Sequence, residues 1–154
     1  MKKIIILFLC ILITFPVFAS EEIKPKKTPL IKLSKQLGNG ELIKIKSYQT
    51  SNYKGIMEGW YKESPIMIDA LITYPKGKGP FPLLLITHSS GGPGEFTESW
   101  LKFMRDQQKP LLDMGIATMY LDNFSARGTK HTYIDQSKAS IWSTYIDMFM
   151  ALDY

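Results

Sequence analysis

The chain has 154 residues, 45% of them hydrophobic, and carries 19 Lys and Arg against 14 Asp and Glu for a net charge of +5. That length holds one domain with a real core and is too short for two large ones. The excess charge gathers in Lys24, Lys26, Lys27, Lys32 and Lys35, with no later basic cluster interleaved with aromatics, so no nucleic-acid partner is expected.

Residues 1–19 read as a signal peptide. Lys2 and Lys3 precede an apolar run from Ile4 to Val17, and Val17-Phe18-Ala19 places small residues at the positions a signal peptidase needs. The run is shorter than the roughly 20 apolar residues of a membrane span, so no stable span is expected after cleavage. The destination is the periplasm or the exterior. Cys10, the only cysteine, leaves with this segment. The mature chain is thereby barred from disulfides, thiol catalysis and Cys-based metal sites. Loss of Lys2 and Lys3 lowers the net charge to +3.

Residues 20–40 read as a polar leader or tether, with a short helix or strand over Leu30–Gln36 closed by Gly38-Asn39-Gly40. Glu41–Tyr48 alternates Ile43 and Ile45 with Lys44 and Lys46, which predicts a half-exposed strand. Ile66–Tyr74 repeats the alternation with Ile68, Ala70 and Ile72. A Gly- and Pro-rich turn over Pro75–Pro82 follows. Leu83–Thr87 is a continuous apolar run, expected to be a strand covered on both faces. Thr97 is placed to cap a helix carrying Trp100, Leu101, Phe103 and Met104, which Pro110 is expected to kink before Gly115 stops it. Ile116–Leu121 predicts another buried strand with Asp122 at its carboxyl end. Ser137–Tyr154 predicts a helix with Ile141, Tyr145, Met148, Phe149 and Leu152 at helical spacing, and with Trp142 and Tyr145 as packing residues. Strand, loop, helix repeated implies an α/β fold with a mostly parallel sheet and crossover helices. About four strands leave one strand edge unpaired and one apolar helix face uncovered.

Ligands of open parallel sheets bind beyond the carboxyl ends of strands, and two such ends occur here. Thr87–Gly92 is a turn of small residues that fits either a plain tight turn or amide donors aimed at an oxyanion. Asp122–Gly128 is the second. No His, Asp or Glu cluster has metal-ligand spacing and no lysine-bearing phosphate loop occurs, so neither metal nor cofactor is expected.

The stretch Pro80–Gly92, PFPLLLITHSSGG, resembles the third strand and oxyanion loop of α/β-hydrolases, where a His-Gly-x-Gly-Gly type loop is common. Gly115–Asp122, with Phe124 and Arg127-Gly128, is similar to the next strand and loop of the dienelactone hydrolase family, and Ala151–Tyr154 to the helix end before the nucleophile strand. The resemblance spans residues 41–154. It implies the first strands and helices of an incomplete α/β-hydrolase fold. It further implies hydrolysis of an ester, lactone or related acyl compound by a serine or cysteine nucleophile.

The nucleophile, acid and histidine of that scheme are not in the chain: no Gly-x-Ser-x-Gly occurs. The chain alone is expected to be inactive, with a complementing C-terminal fragment as its partner. The resemblance assigns Ser89 and Ser90 to the oxyanion loop, and gives His88 and Asp122 the work of orienting loops. Arg127 is placed to bind a substrate carboxylate or, equally, to pair with Asp122. Ser89 stands where the family has glycine. A non-catalytic exported binding protein that keeps half of the fold is the alternative reading.

Overall fold

The computed structural model describes residues 28–38 and 40–154. The expected signal peptide and the start of the leader lie outside the described residues. The described chain runs α1 (Leu30–Leu37), β1 (Glu41–Tyr48), α2 (Tyr53–Met57), β2 (Pro65–Thr73), β3 (Leu83–Ile86), α3 (Glu98–Asp113), β4 (Ala117–Asp122) and α4 (Ile141–Leu152). Leu30 and Leu33 of α1 are buried against Leu71, Leu101, Met104 and Tyr120. Residues expected as the end of a tether are thus one helical face of the core.

The sheet order is β1-β2-β4-β3. Only β3 and β4 are parallel; β1 with β2 and β2 with β4 are antiparallel. The expected mostly parallel sheet is therefore corrected to a mostly antiparallel mixed sheet in an α/β domain. The reason lies in the connections. A parallel pair needs a crossover of a dozen residues or more, generally a helix, and α3 supplies one between β3 and β4. The Gly- and Pro-rich turn from Tyr74 to Pro82 is too short to cross a sheet. The β1–β2 link holds only the five-residue α2 and a 3-10 turn at Trp60–Glu63, so the chain reverses.

Helices cover both faces. On one, α4 packs through Ala151 over Ile43, Ile45, Ile68, Ile72, Met119 and Leu121. On the other lie α1 and α3. All six residues of β4 are buried, as its apolar run requires. β2 begins half exposed and becomes buried on both faces from Ala70 to Thr73.

Three further expectations are corrected. β3 is an edge strand and leaves Leu84 41% exposed, because nothing among the described residues pairs its outer side. Pro110 lies within a continuous α3; it falls in the last turn, on the exposed side, where the missing N–H interrupts little. α4 turns Ile141, Tyr145, Phe149 and Leu152 outward and buries Ser143, Ile146, Asp147 and Ala151. The one carboxylate of α4, Asp147, has its partners inside, and Ala151 with Met148 and Met150 packs on the core.

An open apolar edge is a template for pairing, and Trp100 and Phe103 stand exposed on α3 beside it. The 154-residue chain is expected to self-associate and to bind a hydrophobic dye, and Leu84→Lys is expected to reduce both. Sedimentation together with dye fluorescence checks this. A dye-silent monomer in the unsubstituted chain would sink it.

Candidate functional site

β3 and β4 are neighbours and parallel, so their carboxyl ends open at the same end of the sheet. His88–Gly92 leaves the first and Asp122–Gly128 leaves the second. A cleft of about 590 Å³ lies between them and the start of α4, walled by His88, Ser89, Ser90, Phe124, Thr132 and Trp142.

The first loop is held by its carbonyls. Ser89 O accepts from Gly92 N–H at 3.0 Å, and Ser90 O accepts from Thr132 N–H at 2.7 Å. The Ser89 and Ser90 amide N–H groups have no acceptor among the described residues, and the two residues line the cleft. Both residues are exposed. Free amides at the mouth of a parallel strand pair are the donors that an oxyanion needs.

His88 bridges the two loops. Its Nε2 accepts from the Asn123 N–H at 3.2 Å, which places the ring proton on Nδ1, and that nitrogen donates to Ser89 O at 2.8 Å. Phe124 packs against the ring, centroids 4.3 Å apart. Burial lowers the His88 pKa from its usual 6.5, opposed by the Ser89 hydrogen bond and by the charges of Asp122 and Asp147. The neutral ring that both bonds require is thus the favoured state.

A lowered pKa means that the unfolded chain binds this proton more tightly. The fold therefore loses stability as pH falls below about 6.5, down to the folded value, and this group costs nothing above that window. In His88→Gln, urea midpoints measured across this range are expected to fall less steeply than in the parent. Parallel slopes would contradict the assigned tautomer.

Asp122 is buried and anchors the second loop. Its Oδ1 accepts from the Phe124 and Ser125 N–H groups at 3.1 and 2.9 Å, and Thr28 donates to Oδ2 at 3.3 Å. Arg127 does not meet Asp122. Its Nη1 and Nη2 reach Asp147 Oδ2 and Oδ1 at 2.8 and 2.9 Å, with 1% and 0% of the two side chains exposed. The remaining Nη contacts are the Asn123 and Tyr48 carbonyls. A guanidinium so enclosed offers no fork to a substrate carboxylate.

Asp147 is the centre that sequence reasoning missed. Besides Arg127 it accepts from Asn123 Nδ2 at 2.8 Å and from the Ser47 hydroxyl, so it joins α4, β1 and the β4 loop. The available signal was a lone carboxylate amid Ile146, Met148, Phe149 and Met150. Such a residue either faces water or has a buried partner.

Among the described residues, no group of three or more His, Cys, Asp or Glu converges as metal ligands would, and no helix is long and apolar enough to cross a membrane. Comparison with protein-family models, with curated proteins and with solved structures found no match.

Proposed function

We propose that residues 41–154 are the N-terminal part of an exported α/β-hydrolase domain of the dienelactone hydrolase type, acting on ester, lactone or related acyl substrates. The supporting observation is the His88–Gly92 loop. It follows the third strand and precedes a helix, which is where α/β-hydrolases take one oxyanion donor, and its Ser89 and Ser90, whose amides have no acceptor among the described residues, line a cleft.

In this reading a substrate carbonyl oxygen lies against one of these N–H groups. As a nucleophile adds to the carbonyl carbon, negative charge grows on that oxygen, and a donor already in place stabilises it without reorganisation. One such donor is worth about 10²–10³ in rate. His88 and Asp122 position the loops and exchange no proton with substrate. The serine or cysteine nucleophile, its acid and its histidine are outside these 154 residues, and the other donor follows the nucleophile.

Two measurements test the proposal. The coding DNA beyond codon 154, read in three frames, is expected to encode a Gly-x-Ser-x-Gly or Gly-x-Cys-x-Gly soon afterwards; its absence overturns the reading. The 154-residue chain is expected to leave chromogenic short-chain esters unhydrolysed. Turnover abolished by Ser89→Ala or Ser90→Ala would make the loop itself the catalytic centre.

A further inference from the structure

A second cleft, of about 380 Å³, lies between the β1–β2 connection and the start of α4. It shares Ser51, Ser137, Ala139 and Ser140 with the cleft beside the oxyanion loop, so the two adjoin. Its volume is within the range of small-molecule sites.

Its lining is polar, and the polar groups divide into two sets. Thr50, Asn52, Ser140 and Ser143 are engaged with neighbouring backbone. The side chains of Gln49, Trp60, Tyr61, Ser64 and Lys138 make no hydrogen bond among the described residues. These five supply an amide, an indole N–H, two hydroxyls and an ammonium around one concave wall. Trp60 is 50% exposed and brings a flat aromatic surface, over one side of which the Lys54 ammonium lies 5.3 Å from the ring centroid.

Charge narrows the ligand further. Arg127 lines the cleft, but its Nη atoms are engaged by Asp147 and two carbonyls. Lys138 is the one other cation in the lining, and no carboxylate lines it. An anion would find Lys138 in the lining, with the Lys54 ammonium held over the Trp60 ring, and an acyl chain would find hydroxyls and amides. A neutral ring bearing several hydroxyls matches both the aromatic surface and the unengaged donors and acceptors.

We propose that this cleft binds a sugar or similar neutral polyhydroxylated ring. Resting on the hydrolase reading above, it then holds the hydroxylated portion of the substrate while the acyl carbonyl lies at Ser89 and Ser90.

The test is binding to the full 154-residue chain, which needs no nucleophile. Glucose, xylose, cellobiose and inorganic phosphate are titrated by calorimetry, and each variant is first matched to the parent by circular dichroism. At least one of the sugars is expected to bind with a Kd on the order of 1 mM. Trp60→Ala and Gln49→Ala are each expected to weaken it about tenfold or more, whereas Trp100→Ala, on α3, leaves it unchanged. Absence of saturable sugar binding, binding of phosphate alone, or sugar binding indifferent to both Trp60→Ala and Gln49→Ala overturns the proposal. Sugar binding without a nucleophile elbow in the downstream DNA would keep this site and remove the hydrolase reading. An elbow without sugar binding would do the reverse.

Discussion

Asp147→Ala is expected to destabilise the fold by about 3–5 kcal/mol. The carboxylate is fully buried and engages Arg127, Asn123 and Ser47 at once. Its removal leaves a guanidinium in the interior with no counter-charge, and Arg127 Nε already has no partner among the described residues. Domains are stable by only about 5–15 kcal/mol in all, so this one substitution removes a large share. At roughly 2–4 °C per kcal/mol for a chain of this size, the melting temperature is expected to fall by about 10 °C or more.

The pair itself is worth less than either half left alone, because burying two charges costs nearly what their attraction returns. The double variant Arg127→Met, Asp147→Leu is therefore expected to recover much of the loss. Asn123 and Ser47, left without their acceptor, limit the recovery. Urea unfolding of the four chains of this cycle gives the coupling energy directly. If Asp147→Ala unfolds with the parent, the buried network is not as described.

Gly92→Ala is the second large effect. Gly92 has φ +72° and ψ 170°, a conformation essentially confined to glycine, and an added Cβ would lie 2.1 Å from the Lys130 carbonyl oxygen and 2.9 Å from the Phe124 ring. Backbone strain of this kind costs about 1–3 kcal/mol, and the clash with a main-chain oxygen adds to it, because a backbone cannot step aside as a side chain can. A total of about 3 kcal/mol or more is expected. The loop should also shift enough to disturb the Gly92–Ser89 hydrogen bond that holds it. Gly128 supplies the control: φ is again +72°, but a Cβ there meets nothing within 4 Å, so Gly128→Ala should cost only about 1–2 kcal/mol. Equal losses in the two variants would mean that the close approach of the loops is absent.

The local elements were legible in the sequence because periodicity reports burial directly. Ile43 and Ile45 alternate with lysines, and with Ser47 they are the buried residues of β1. The apolar run before Asp122 is β4, buried throughout. Thr97 caps α3 as its position implied, accepting from Trp100 N–H. The two loops of the candidate site could be placed at strand ends from the same pattern. Pairing direction is misread from the sequence: the strand-loop-helix order of β3, α3 and β4 does not extend to the whole sheet, and the alternation of β1 and β2 and the lack of a crossover helix between them go with antiparallel pairing.

The sequence by itself determined the segments of the four strands, of α3 and of α4, and that His88–Gly92 and Asp122–Gly128 follow strands; it left α1 open between helix and strand and carried no sign of α2. Tertiary structure alone decided which way α4 turns. An apolar stripe predicts burial when nothing polar competes, but Asp147 can be buried only where Arg127, Asn123 and Ser47 converge on it, from β1 and from the β4 loop far away in the chain. In the orientation that satisfies that carboxylate, Ile141, Tyr145, Phe149 and Leu152 stand exposed. The same convergence engages the Arg127 guanidinium, so that it offers no fork to a ligand.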